Sequence, residues 1–129
     1  MPHPNCRFCR ANSLLADAPV AETAHHYLLA SMDPDMTQAV MVIPNRHRDS
    51  PFEITAEEWT DLAAALAAAK AHLAQYSPEG YTMGWNVGAL AGQTVGHVHL
   101  HVIARHAGDA AHGQGIRNWL KRAWAGVAG

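Results

Sequence analysis

Residues 92–105 read GQTVGHVHLHVIAR, and the reading of this stretch decides the fold. His97, His99 and His101 stand at every second position, with Val98, Leu100 and Val102 alternating with them. Successive side chains of an extended strand point to opposite faces. The spacing therefore predicts a half-buried strand over HVHLHVIAR, with a row of imidazoles on one face and an apolar stripe on the other. On a helix, residues two apart are not neighbours. The row admits three readings: a metal site, a catalytic histidine with helpers, or an accident in a chain with 10 histidines.

Working outward, YTMGWNVG (81–88) reads as a strand and the glycine-punctuated ALAGQTVG as the loop that returns the chain, which makes an antiparallel pair. Upstream, Thr55-Ala56-Glu57-Glu58 has the spacing of a capping box, and Trp59, Leu62, Leu66, Leu73 and Tyr76 recur at three, four and seven residues. This predicts one long helix over about 55–76, ended by SPEG, with Trp59, Leu62, Leu66 and Leu73 in the core. Glu57, Glu58 and Asp61 are read as a solvated helix start favoured by the helix dipole. The many alanines favour helix and allow close approach to a sheet.

QAVMVIP (38–44) reads as a buried strand stopped by Pro44-Asn45, and VAETAHHYLLASM (20–32) supplies one or two strands before the turn-like DPDMT. Residues 1–17 are irregular or briefly helical, and GIRNWLKRAWAG (115–126) is a short C-terminal helix with Trp119 and Trp124 as apolar anchors. The pattern is that of one α+β domain over 1–129, without repeat or linker.

The composition, with 49% hydrophobic and 16% charged residues in 129, is that of a globular domain large enough to bury a core. A net charge of -2 with no run of Lys or Arg argues against a nucleic-acid groove or an anionic membrane surface. No stretch approaches the ~18 apolar residues of a membrane span, and MPHPNCRFCR has no apolar core of a signal peptide, so the expected location is cytoplasmic. Cys6 and Cys9 are the only cysteines, and a reducing compartment disfavours a disulfide between them.

Cys6-Arg7-Phe8-Cys9 is half of a zinc site by spacing, because two thiolates on one tight turn can fill two corners of a tetrahedron. The alternative is a pair of inert thiols. Two further ligands would have to come from elsewhere, with His47 and one member of the 97/99/101 row as the natural candidates. Giving all three strand histidines to one ion leaves Gly92-Gln93-Thr94 unexplained. That segment of amide, hydroxyl and open backbone N–H groups suits an anion such as phosphate. His3, His25, His26, His72, His106 and His112 lack a motif context and are assigned to solvent or ordinary packing.

The residues resemble the histidine triad proteins, whose signature alternates three histidines with apolar residues. It stands here as His97-Val98-His99-Leu100-His101-Val102-Ile103, preceded by Gly92-Gln93-Thr94. Val42-Ile43-Pro44-Asn45-Arg46-His47 is similar to the family's apolar-apolar-Pro-x-x-His, and Asn86-Val87-Gly88 to its Asn-x-Gly. Gly115-Ile116-Arg117 is similar to a Gly-apolar-Arg found after the triad in bacterial members, and Cys6 and Cys9 match the metal-binding subset.

The resemblance implies an antiparallel sheet of about five strands with one long helix, a twofold homodimer, and hydrolysis of nucleoside phosphoramidates, phosphosulfates or dinucleoside polyphosphates. It makes His99 the nucleophile that takes up the nucleotidyl group, with His101, Gln93 and Thr94 stabilising charge and Asn86 and Gly92 beside the phosphate. Imidazole suits the role because it titrates near neutrality. The metal-binding subset further implies Cys6, Cys9, His47 and His97 around one structural Zn2+, with the N-terminal segment of about 1–17 included in the domain; no organic cofactor is implied.

Nucleoside-binding members carry an acidic residue for the ribose near the end of the second strand. Counting back from His47 puts Ser31 there, followed by Met32, with Asp33 and Asp35 close enough for a small register shift to restore a carboxylate. The implied partner is a nucleotide, with adenine expected. A second class of reading is a zinc-stabilised nucleotide- or partner-binding module with little catalysis.

Overall fold

The computed structural model describes residues 2–128. Five strands, β1 (Ala21–Glu22), β2 (His26–Ala30), β3 (Ala39–Pro44), β4 (Gly80–Trp85) and β5 (Leu100–Arg105), form one antiparallel sheet in the order β1-β2-β3-β5-β4. Helix α1 (Ala56–Leu73) and a C-terminal helix α2 (Ile116–Ala128) complete it. The expected α+β architecture with one long helix and a short C-terminal one is what is found.

The register sorts the side chains. Leu28, Val42, Leu100 and Trp85 form one transverse row, while Leu29, Met41, His101 and Gly84 form the next, pointing the other way. The first face meets α1: Leu28, Val40, Val42, Leu100 and Val102 pack on Leu62, Ala65, Ala69 and Leu73. Ala65 and Ala69 are fully buried, and their small size is what allows the helix to lie close to the sheet. The second face is left for chemistry. The N-terminal segment covers one end of it, burying Cys6, Phe8 and Cys9 against Tyr27, Leu29 and Ile43.

Helix α1 starts at the predicted capping box: Thr55 Oγ1 accepts from the Glu58 N–H at 3.1 Å, and Glu58 Oε1 accepts from the Thr55 N–H at 2.8 Å. The expected solvated helix start is corrected at two of its three residues. Glu58 is 1% exposed and lies 3.4 Å from Arg48 Nε. Asp61 Oδ2 accepts from Thr23 Oγ1, the His25 N–H and His26 Nδ1. Burial pushes its carboxyl up, but these hydrogen bonds and the charge of His26 pull it further the other way, to about 2.

Trp59 is corrected in the opposite sense. The buried stripe runs through Glu58, Leu62, Ala65, Ala69 and Leu73, which turns Trp59 out to 47% exposure, edge-on to Trp85 at 6.0 Å. Trp119 and Trp124 are likewise exposed rather than anchors. Ile116, itself half exposed, approaches the sheet at Gly84: its Cδ1 lies 3.4 Å from where a Cβ on Gly84 would stand.

Two strand boundaries differ. At one, β4 ends at Trp85 rather than Gly88. The ladder begins at Leu100, not His97, because residues 97–99 run beside the end of β3 and the loop after it: the Val98 N–H donates to the Arg48 carbonyl at 2.7 Å.

Candidate functional site

The three histidines divide into two environments. His97 is fully buried, and its Nε2 donates to the Pro44 carbonyl at 2.8 Å. That bond turns the Nδ1 lone pair toward Cys6 Sγ at 3.5 Å and Cys9 Sγ at 3.6 Å. His47 Nδ1 lies 3.4 Å from Cys9 Sγ, and its Nε2 faces Asp49 Oδ1 at 3.2 Å. The donor atoms of Cys6, Cys9, His47 and His97 all lie within 4.8 Å of one another. A tetrahedral site with M–S near 2.3 Å and M–N near 2.0 Å has S···N edges of about 3.5 Å, close to the three S···N distances above, so the four residues lie close enough to hold a metal ion.

The outer contacts fit as well, since a carbonyl and a carboxylate hold the non-ligating nitrogens of the two imidazoles. Burial, with the neighbouring charges of His47 and His99, lowers the pKa of His97 to about 4, which keeps it neutral, the form in which it can ligate. Burial also raises the Cys9 thiol. That works against a thiolate in the cluster by itself, and the charge of a bound cation is what would reverse it.

His99 is not among the donors of this cluster. Its Nδ1 donates to the His97 carbonyl at 2.8 Å, leaving Nε2 without a protein partner among the described residues. Its ring lies edge-on to His101 at 5.1 Å and to Phe8 at 5.1 Å. His101 is half-buried on β5, its pKa lowered by burial first and by the charge of His99 second, so it remains a neutral hydrogen-bond donor.

Gln93 braces the loop that leads into the histidine row. Its Oε1 accepts from the Gly88 N–H at 2.8 Å, and its Nε2 donates to the carbonyls of Asp49 at 2.9 Å and Val95 at 3.1 Å. Gly92, at φ 95°, turns the chain into this segment, a conformation that favours glycine. Asn86 is exposed one residue beyond the Trp85–Leu100 pair, level with His99. Thr94 is exposed and opens onto a cleft of about 470 Å3 beside the metal cluster, together with His3, Arg7 and Asp49.

Ser31 and Met32 stand apart from these residues. The Ser31 N–H donates to the Ala39 carbonyl, which fixes the register with Ser31 at the strand end and leaves Asp33 in the turn, its Oδ1 accepting from the Asp35 N–H. In this register Ser31, not a carboxylate, stands at the end of β2. Ser31 does share the sheet face of His101, since both lie on the Leu29–Met41 side. Met32 is 63% exposed.

Three contributors are not assigned a role from the sequence. Phe8 sits edge-on to both His97 and His99, Asp49 supports both His47 and Gln93, and the Pro44 carbonyl sets the tautomer of His97. Each stands within or next to a candidate ligand motif: Phe8 between the two cysteines, Pro44 three residues before His47 and Asp49 two after it.

Residues 15–108 match the HIT domain family. A bis(5'-adenosyl)-triphosphatase of Dictyostelium discoideum is 31% identical over 97 residues, covering 74% of this chain and 65% of that protein. An adenosine 5'-monophosphoramidase of Schizosaccharomyces pombe is 31% identical over 104 residues, covering 78% and 74% respectively. The crystal structure of a HIT family protein from Bacillus anthracis superposes with a TM-score of 0.71 at 27% identity, over 97% of this chain and 96% of that one.

Proposed function

Since the chain belongs to the histidine triad (HIT) domain family, we propose that it is a nucleotidyl hydrolase working through a covalent nucleotidyl-histidine on His99. The substrates are nucleoside phosphoramidates, nucleoside phosphosulfates or dinucleoside polyphosphates, with adenine as the base. The observation that carries the reading is the hydrogen bond from His99 Nδ1 to the His97 carbonyl. It fixes the tautomer and leaves the Nε2 lone pair free of a protein hydrogen bond among the described residues, with the His101 ring alongside.

The steps balance simply. Nε2 attacks the α-phosphorus, the bond to the leaving group breaks, and the leaving group departs with the electron pair and gains a proton. Water then attacks the phosphorus, the P–N bond to His99 breaks, and a nucleoside monophosphate leaves. His101 donates a hydrogen bond to a phosphoryl oxygen as charge builds there. Asn86 and the backbone around Gly92 are assigned to the phosphate. Gln93 and Thr94 are assigned to phosphate or leaving-group oxygens, and the bonds Gln93 makes in the free protein support an additional part in holding that loop in shape. Ser31 offers the ribose one hydroxyl, so ribose contributes less affinity than a carboxylate would allow.

Zn2+ is the metal that the two thiols and two imidazoles suit best. When bound it supplies structure rather than Lewis acidity, since four protein ligands close the coordination shell. The working form is taken as a cytoplasmic homodimer. Trp59, Tyr81 and Met83, exposed near the edge strand β4, support that pairing.

The test is release of AMP from adenosine phosphoramidate by the wild-type protein and by His99→Ala, with intact mass spectrometry of the quenched reaction. The expected result is an adenylate adduct on the wild type and loss of turnover in the variant. Undiminished turnover by His99→Ala would refute the mechanism.

A further inference from the structure

We propose that Glu58 is a positioning residue for the histidine row, acting through the Arg48 guanidinium. This inference rests on the hydrolase reading and adds to it a residue that touches no substrate.

Glu58 carries a charge that its local structure does not need. Its Oε1 accepts the Thr55 N–H at 2.8 Å and closes the capping box at the start of α1. Glutamine serves that bond as well as glutamate does. The side chain is nevertheless a carboxylate at 1% exposure, and its Oε2 has no hydrogen-bond partner among the described residues. A carboxylate is costly to bury unless a cation stands beside it. The Arg48 guanidinium is that cation, with its Nε 3.4 Å from Glu58 Oε1 and likewise without a hydrogen-bond acceptor among the described residues. Charge rather than a directed hydrogen bond holds the pair, and its partial enclosure from water strengthens it.

The rest of Arg48 reaches the chemistry. Its Nη1 donates to the His47 carbonyl at 3.2 Å, and its own carbonyl accepts the Val98 N–H at 2.7 Å. Val98 stands between His97 and His99, and the His97 carbonyl is the acceptor that holds the His99 ring. On either side of Arg48, His47 is a donor of the metal cluster and the Asp49 carbonyl accepts from Gln93 Nε2 at 2.9 Å. Three consecutive residues thus carry the cluster, the histidine row and the loop before it. They belong to no strand or helix, so few bonds fix their place. Among the described residues, their side-chain bonds toward α1 and the turn before it are the Glu58–Arg48 pair and an exposed one from the Asp49 N–H to Glu53 Oε2 at 3.3 Å. Only the first is shielded from water. A small shift of this segment moves the His97 carbonyl and with it His99, and small misplacements of a reacting group are felt in kcat.

The experiment measures kcat and KM for adenosine phosphoramidate, and amide hydrogen exchange at Val98 by NMR. Glu58→Gln keeps the capping bond and removes the charge, while Arg48→Met keeps the backbone carbonyl and removes the cation. Each should lower kcat by about ten-fold with KM within about two-fold of wild type. Each should also speed exchange at Val98 by about ten-fold while Val102, inside the central strand β5, keeps its protection. The double variant should be no worse than either single one. Arg48→Lys, which keeps a cation, should hold kcat within about three-fold of wild type. Asp61→Ala, which weakens α1 at a different contact, should leave kcat within about two-fold and so separates positioning from loss of stability. Losses that multiply in the double variant, a rise in KM in place of a fall in kcat, or an equal fall in Asp61→Ala overturns the proposal. Unchanged protection at Val98 overturns it too, and that result is readable in a protein without turnover. Absence of wild-type turnover overturns the hydrolase reading, and the link from Glu58 to the histidine row then stands or falls on Val98.

Discussion

Removing metal from the Cys6, Cys9, His47 and His97 cluster should lower the melting temperature by about 15 °C. The four donors converge within 4.8 Å of one another, so the folded chain presents a preformed site while the unfolded chain scatters its ligands over residues 6–97. Binding to the folded state alone stabilises it by about 4 kcal/mol when the free ion stands at roughly a thousand times its dissociation constant. With an unfolding entropy of about 2.1 cal/mol/K per residue, 129 residues give about 0.27 kcal/mol/K, and the quotient is about 15 °C.

The assay is scanning calorimetry of chelator-dialysed protein before and after restoring Zn2+, on the wild type and on Cys9→Ala. The variant should respond by less than about a quarter of the wild-type shift, because it loses the sulfur that lies near both imidazoles. The wild-type shift should also shrink as pH falls, since ligation requires deprotonated donors. Equal shifts in wild type and variant, or none in the wild type, would refute the reasoning.

Asp61→Ala should destabilise the protein by about 3 kcal/mol in urea titration, because it strips the acceptor from three donors that converge on one oxygen. The Asp61 carboxyl falls from 3.8 to about 2 on folding. Its contribution is therefore fully present above the unfolded value and disappears as pH drops through the folded one. With its side chain only 9% exposed, about 2 kcal/mol of the difference between wild type and variant should vanish between about pH 5 and pH 2. A constant difference across that window would contradict the assignment. Phe8→Leu keeps most of the volume but removes the ring that bears on both His97 and His99, and should lower kcat by about ten-fold at nearly unchanged KM. Unaltered kcat would show that His99 is positioned without it.

The periods of two and 3.6 are properties of neighbouring residues, so β3, β4, β5 and the capped helix are legible in the order of residues up to the ends of the strands, as is the family signature at His97, His99 and His101. What those periods leave open is phase and partner. Trp59 carries the largest apolar side chain at the start of α1, yet the stripe that meets the sheet passes through Glu58 and two alanines. The helix faces the sheet with its small residues because they allow the closest approach.

Asp61 reads as a solvated acid because its donors, Thr23, His25 and His26, lie more than thirty residues away in the chain. Cys6 and Cys9 by themselves are half a site. Only the pairing of β2, β3 and β5, with the N-terminal segment laid across them, brings His47 and His97 to their side and wedges Phe8 against the His99 ring. Spacing along the chain determined which residue types could act together; long-range packing decided which of them meet.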